Sequence, residues 1–567
     1  MASIRLLTSL LVFLSLRSVV NGLVHGRPHG NMMPTIPMVK ISDGRVMSRN
    51  GTKIPSLNST YYFDQLIDHT NPGLGIFKQR YWHTWEWYEP GGPIILSTPG
   101  EINADGFEGY LTNKTINGQI AQQQKGATIV LEHRFYGQSN PYNNLSVQSL
   151  QVHTIQQAIE DLVYFAENVK LAMPGGDNVT PDVAPWILIG GSYAGALTAW
   201  TMTNKPGVFW AGYSSSGVVE ALVDFWAYYE PIRQYMPKNC SADVEAVTAY
   251  VDEVFTNGTD DAVAALKSNW GMGNVSHLDD IVSALRNQIA DWQELQPTSG
   301  PGAAFFNFCD ALEVKNGQKA PPTGWGLDYA LAAWGRYWNH TYFAISKSCG
   351  HQDAETCLGT YDTSQSYWTN TTVDNSARSW QWIVCNEVGY FQESPPQGQP
   401  AIVSRLVQPI YDERQCAQLF PEQFSEPSAP NVDATNSAYG GWTVNVTRLF
   451  FANGQRDPWR DVTVSADGQN IQSSPTQPIF VSDGFHCSDL STAAGLVDPT
   501  IAHVQSEALS YMKTWLADWK PSSNGPVVQR STEIAYDVVK GSGKRGPLAG
   551  RGMLPTIRPQ SGGVGSF

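Results

Sequence analysis

Short apolar runs alternate with stretches of helical periodicity through the first part of the chain. Pro93 to Thr98 is an apolar run ending at Pro99-Gly100, and Ala127 to Leu131 is another of strand length. Between 154 and 172, Ile155, Ala158, Ile159, Leu162, Phe165, Ala166 and Val169 recur at helical spacing, and Pro174-Gly175-Gly176 stops that helix. Trp186 to Ile189 forms a short strand that runs straight into Gly190-Gly191-Ser192. Strand patterns resume at Arg448 to Ala452 and Pro478 to Val481, and a last helix is expected over 499–518. This alternation predicts an α/β fold, a mostly parallel sheet with helices on both faces.

The segment between those two blocks differs. It carries helical patterns over 243–267 and 278–294, many Trp and Tyr, and most of the cysteines. The expected organisation is an irregular lead-in over 23–59, a first α/β part over 60–221, a helical insertion over 222–430 and a second α/β part over 431–520. Residues 521–567 are polar, Gly-rich and basic and are expected to be disordered. The Lys544-Arg545 pair there is a candidate processing site, and the end lacks the apolar stretch of a glycosylphosphatidylinositol anchor signal.

Composition narrows the setting. The 567 residues are 42% hydrophobic, enough for a sizeable core, and the net charge of −15 argues against nucleic acid as a partner. Arg5, the apolar run Leu6 to Leu16, and Val20 and Gly22 predict a signal peptide over 1–22, too short in its apolar part for a membrane span. No other stretch is long and apolar enough to cross a bilayer in the mature chain. Asn50, Asn58, Asn113, Asn144, Asn178, Asn239, Asn257, Asn274, Asn339, Asn370 and Asn445 each begin an N-glycosylation triplet, which fits export. The seven cysteines are Cys240, Cys309, Cys349, Cys357, Cys385, Cys416 and Cys487. In an exported protein most should pair, and Cys487, standing apart, is the candidate free thiol. No spacing resembles a zinc site, so no metal or cofactor is expected.

The sharpest chemical signal is Ile187-Leu-Ile-Gly-Gly-Ser-Tyr-Ala-Gly-Ala-Leu197. A nucleophile lifted above a sheet edge needs a sharp strand-to-helix turn with small residues around it, here Gly190, Gly191, Ala194 and Gly195. A nucleotide-binding turn would show G-x-G-x-x-G, which is absent. A serine hydroxyl needs a base and an orienting acid, and in an α/β-hydrolase these follow in the order Ser, Asp, His. Asp457 lies in Asn453-Gly-Gln-Arg-Asp-Pro-Trp459 behind one strand, and His486 in Asp483-Gly-Phe-His-Cys-Ser-Asp-Leu490 behind the next. His277, His340 and His351 lie in the insertion and lack that strand-then-loop setting.

These segments, with Glu132-His-Arg-Phe-Tyr-Gly137 and Trp382 to Gln392, resemble the serine peptidase family of lysosomal prolyl carboxypeptidase, dipeptidyl-peptidase II and fungal prolyl endopeptidases, in order over roughly residues 60 to 520. The resemblance implies Ser192 as nucleophile, His486 as general acid–base and Asp457 as its orienting acid. It implies an oxyanion hole from the N–H of Tyr193 and the loop at Gly100-Glu101. It also suggests Trp382, Glu387, Tyr390 and Trp459 for the substrate pocket. The chain departs from the family at Ser215-Ser216-Gly217, where Ser-Ala-Pro is usual, and at Asn386-Glu387, where Thr-Glu is usual. The last Gly of a G-x-S-x-G elbow is Ala194, and the Gly of a G-x-E-G loop is missing after Glu101.

The expectation is a secreted or vacuolar-lysosomal serine peptidase acting through an acyl-enzyme on proline-containing peptides or proteins. Dipeptidyl-peptidase and carboxypeptidase action are preferred to endopeptidase action, and a homodimer is left open. For holding a free amino terminus Glu101 and Glu387 are the candidates; for a free carboxylate, Arg134, Arg456 and Arg460. An esterase or lipase would share the elbow but would usually carry an apolar lid, and an inactive binding protein would have lost a triad member.

Overall fold

The computed structural model describes residues 33, 35–41, 46–342 and 352–521. The predicted signal peptide, much of the lead-in, Cys349, His351, the tail beyond 521 and its Lys544-Arg545 pair lie outside those residues.

An eight-stranded sheet forms the centre. Its strands are β1 (Thr60–Leu66), β2 (Ile76–Thr84), β3 (Ile94–Ser97), β4 (Ala127–Leu131), β5 (Trp186–Gly191), β6 (Ala211–Ser215), β7 (Leu449–Gly454) and β8 (Ile479–Ser482). Their spatial order is β8-β7-β6-β5-β3-β4-β2-β1. Neighbours from β8 to β4 run parallel, while β2 is antiparallel to both β4 and β1. The parallel strands are continuous apolar runs because both faces are covered. In β5, Trp186 and Leu188 join the core with the helices α2 (Ile155–Asn168) and α3 (Tyr193–Asn204). Ile187 and Ile189 point the other way, into the core with α1 (Ile116–Gln124) and α4 (Pro499–Ala517). This is the α/β-hydrolase fold.

The helical stretch between β6 and β7 follows the expected pattern with two differences. The pattern over 243–267 is two helices, Lys238–Asn257 and Asp260–Asn269, because Gly258 ends the first and the Thr259 hydroxyl caps the second by accepting from the N–H of Ala262. The pattern over 278–294 is an α-helix, Leu278–Ala290, that tightens into a 3₁₀ turn at Asp291–Glu294. A short parallel pair, Leu222–Asp224 with Gly389–Phe391, ties the start of this stretch to its later part. Disulfides join Cys240 to Cys309 and Cys385 to Cys416. Cys357 is also disulfide-bonded, and Cys487 is free and buried. Among the described residues no helix is long and apolar enough to cross a membrane, and no cluster of His, Cys, Asp and Glu is arranged to hold a metal ion.

The Glu132–Gly137 segment, a motif in the sequence, is a brace in the structure. Glu132 takes a two-pronged contact from Arg80, at 2.9 and 2.6 Å, together with the N–H of Ala104 and the hydroxyl of Ser139. Arg134 pairs with Asp161 of α2, donating through Nε at 2.6 Å and through Nη2. Both pairs are buried and saturated with hydrogen bonds, the condition under which buried charges are tolerated.

Candidate active site

The turn from β5 to α3 holds Ser192 at φ +61° and ψ −127°, a conformation that non-glycine residues rarely adopt. The neighbours must be small for this turn to close. A Cβ on Gly190 would lie 1.9 Å from the carbonyl oxygen of Ala194, and one on Gly195 would lie 2.8 Å from that of Ser215. The Ser192 N–H donates to Ser215 O at 2.8 Å, fastening the turn to β6.

Ser192 follows β5, Asp457 follows β7 and His486 follows β8, so all three side chains meet at the carboxyl edge of the parallel strands. His486 Nε2 lies 2.7 Å from Ser192 Oγ, and His486 Nδ1 lies 2.8 Å from Asp457 Oδ1. With the Nδ1 proton committed to the carboxylate, Nε2 is left to accept from the serine hydroxyl. Asp457 Oδ1 also accepts the N–H of Trp459 at 2.9 Å, which fixes the carboxylate plane. Burial alone would push His486 down; the adjoining Asp457 carboxylate, together with Cys487, outweighs it and holds the ring well above its ordinary value. The three residues are 0%, 1% and 0% exposed for Ser192, His486 and Asp457, so the pair charges at low local dielectric.

The remaining residues singled out by sequence divide into two groups. Trp459 and Tyr390 pack together, ring centroids 5.6 Å apart, and Trp459 lies 6.3 Å from the His486 ring. Phe225 and Tyr228, which carried no sequence signal, complete this aromatic wall at 5.5 and 5.4 Å from Trp459. Trp382 packs instead against Phe420 within the insertion. The Glu387 carboxylate accepts the N–H of Ile155 at the start of α2, and burial pushes its carboxyl up to about 8. Gly100 abuts the start of α3: a Cβ there would lie 3.4 Å from that of Ala194. The next residue, Glu101, is buried with Oε1 lacking a hydrogen-bond partner, and burial raises its carboxyl to about 8 against the pull of His486. Tyr193 gives its side chain to His133 Nε2 at 3.2 Å, while its N–H is the first of α3 and lies outside the helix ladder. Of the candidate arginines, Arg134 is committed to Asp161, Arg460 pairs with Asp467, and Arg456 lies over the Phe485 ring.

A hydrogen-bonded Ser-His-Asp chain at the carboxyl edge of a mostly parallel sheet, with a strained elbow under the serine, defines a serine hydrolase of the α/β-hydrolase fold. Comparison with known proteins narrows this further. The serine carboxypeptidase S28 profile matches residues 65–505, and the chain belongs to that family of serine peptidases. It is 34% identical over 529 residues to the serine protease vicPa of Bipolaris victoriae (strain FI3), covering 90% of this chain and 97% of that protein. It is 32% identical to a probable extracellular serine carboxypeptidase of Arthroderma benhamiae, over 78% of this chain and 64% of that one. The human lysosomal Pro-X carboxypeptidase is 23% identical over 84% of this chain and 92% of its own. Among solved structures, a proline iminopeptidase of Mycobacterium smegmatis covers 81% of this chain and 99% of its own at TM-score 0.33 and 10% identity.

Proposed function

We propose that this protein is a secreted serine exopeptidase that cleaves after proline, with Ser192 as nucleophile, His486 as general acid–base and Asp457 as the residue orienting and charging His486. The observation that carries the proposal is the continuous hydrogen-bonded path Ser192–His486–Asp457 beside an aromatic wall. His486 takes the Ser192 proton as Oγ attacks the substrate carbonyl, then gives it to the leaving amine. Water, deprotonated by the same ring, releases the acyl group. The N–H of Tyr193 receives the oxyanion, with the Gly100-Glu101 loop as the second donor, and the positive end of α3 favours the developing charge.

Trp459, Tyr390, Phe225 and Tyr228 offer flat apolar faces to the residue before the scissile bond. Proline's fixed φ leaves it little conformational entropy to lose on entering such a wall. Trp382 and Glu387 act through packing around that pocket. The covering of the triad supports an exopeptidase reading, since a buried site admits a chain end more readily than a chain middle. Glu387 is occupied by Ile155, so Glu101 is the carboxylate left to meet a free amino terminus. The disulfides support export, and none of the sequon asparagines is buried, which suits glycosylation. The names of relatives place them outside the cell or in the lysosome, the two destinations proposed for this chain.

Three peptides with one internal Pro-x bond test the reading: one with free ends, one N-acetylated and one C-amidated. Loss of cleavage on capping one end supports the exopeptidase mode and names the end. Equal cleavage of all three overturns that mode, and no cleavage after proline in any overturns the specificity.

A further inference from the structure

The loops bearing Asp457 and His486 both touch a single stretch of the helical insertion, residues 291–296. On the acid's loop, Trp292 Nε1 donates to the carbonyl of Arg456 at 2.8 Å, and Gln293 Oε1 accepts the indole N–H of Trp459 at 2.5 Å. Gln293 Oε1 also accepts the hydroxyl of Tyr228 at 3.1 Å, and its Nε2 donates to Met33 O of the lead-in at 2.8 Å. On the base's loop, Gln296 Nε2 donates to the main-chain carbonyl of His486 itself at 3.0 Å. Gln296 Oε1 accepts the Ser488 hydroxyl at 2.9 Å, and Ser488 Oγ in turn accepts the N–H of Phe485 at 3.0 Å.

The sheet holds the same histidine loop from the opposite side. Asp489 accepts the hydroxyls of Tyr213 at 2.6 Å and Ser215 at 2.8 Å. Ser216, at the position where the chain departs from its family's usual Ala, accepts the N–H of Cys487 at 3.0 Å. The ring of His486 is therefore set between two anchors, one on the sheet and one on the insertion. The peptide that follows the His486 side chain is held at both ends, its carbonyl by Gln296 of the insertion and its N–H, that of Cys487, by Ser216 of the sheet.

We infer that Gln296 is a positioning residue through which the insertion holds His486 in line with Ser192 and Asp457, so that seating of the insertion and assembly of the triad are one event. The inference rests on the triad reading given above. Its physical content is that a rotation or shift of the imidazole by a fraction of an ångström lengthens the 2.7 and 2.8 Å contacts on which proton transfer depends. The triad is 0–1% exposed, and on this inference the insertion moves as substrate enters. Release of Gln296 in that movement leaves the base misaligned until the insertion closes again, which restricts nucleophile activation to the closed state.

The test uses Gln296→Met in the full-length secreted chain, which keeps the side chain's length and removes both hydrogen bonds. A fluorophosphonate probe reads the serine directly, without reference to any peptide preference. The expected result is that the inactivation rate constant at saturating probe falls roughly 10-fold while half-saturation stays within about twofold. End-point labelling should stay at wild type, and the thermal midpoint should fall by no more than two lost hydrogen bonds cost. A merely structural role would lower end-point labelling or the midpoint and leave the rate per competent site unchanged, and that result overturns the inference. Wild-type rates at full end-point labelling overturn it as well. Should Gln296→Met give no labelled protein, Gln296→Asn, which withdraws the amide by one methylene from both partners and leaves the Ser488–Phe485 bond in place, decides: roughly 3-fold slower inactivation supports the inference and an unchanged rate overturns it. A wild-type chain that fails to label at Ser192 would instead refute the triad reading on which all this rests.

Discussion

Replacing Asp457 with Asn separates geometry from charge in this site. Asp457 Oδ1 accepts both the His486 Nδ1 proton and the Trp459 N–H, while Oδ2 has no hydrogen-bond partner. An asparagine can keep its oxygen at the first position, where the Trp459 N–H demands an acceptor, and put its amide nitrogen at the second. The imidazole then retains its tautomer and its place. On the proposed mechanism, what is lost is the anion beside the imidazolium that forms as Ser192 attacks. For unit charges about 4 Å apart at an effective dielectric near 20, that attraction is about 4 kcal/mol, and this corresponds to about 10³-fold in turnover. Removing the anion also lowers the His486 pKa, since Asp457 is the first of the two neighbours, with Cys487, that offset its burial. The base must be neutral to act, so activity is lost as pH falls through the His486 pKa, and the acid limb of kcat/KM marks that point. The variant is therefore expected to be about 10³-fold slower and to hold its residual activity to lower pH than wild type. The assay is a pH series of kcat/KM on a Pro-x peptide, beside a thermal melt showing an intact fold. Near-wild-type turnover, or a slow enzyme whose acid limb stays put or moves up, would refute this reasoning.

Two further outcomes follow from the structure. Trp459→Leu thins the aromatic wall beside His486, and kcat/KM for an after-proline bond should fall roughly 10-fold more than for an after-alanine bond. Equal losses on both substrates would remove Trp459 from the pocket. Stability should decline between pH 6.5 and pH 8: burial raises the Glu101 and Glu387 carboxyls to about 8, so the folded chain keeps protons there that the unfolded chain has lost. Each contributes at most about 2 kcal/mol over that window. His83 and His133, pushed down by burial to about 4, act in the opposite sense but only below their ordinary value of 6.5. Thermal melts across the window check this, and Glu387→Gln, whose amide oxygen still accepts from Ile155, should flatten the decline; a melting temperature that rises from pH 6.5 to 8 would contradict it.

The parts of this molecule legible in its sequence are those where one short segment decides the outcome. The parallel strands read as unbroken apolar runs because both their faces are buried, as in β4 and β5. The elbow could be read because close backbone contacts leave room only for small residues around Ser192. By contrast β1 alternates exposed and part-buried positions at the edge of the sheet, and its antiparallel pairing with β2 left no comparable run. Trp382, Tyr390 and Trp459 looked alike as aromatics in matching segments, yet Trp382 packs on Phe420 while the other two meet beside His486. Phe225, Tyr228, Gln293 and Gln296 reach the site only through tertiary folding, from positions more than a hundred residues away from either loop. Nothing local distinguishes a glutamine that braces His486 from one on a solvated turn.

On the proposed mechanism Ser192, activated by His486 and Asp457, is the nucleophile. Mass-spectrometric mapping of the adduct that a fluorophosphonate probe leaves on the full-length protein checks this without any choice of peptide substrate. A single phosphonylated residue, Ser192, is expected directly after Ile187-Leu-Ile-Gly-Gly, with loss of that adduct and of peptidase activity together in Ser192→Ala. An adduct on another serine, or peptidase activity that survives in Ser192→Ala, would contradict it.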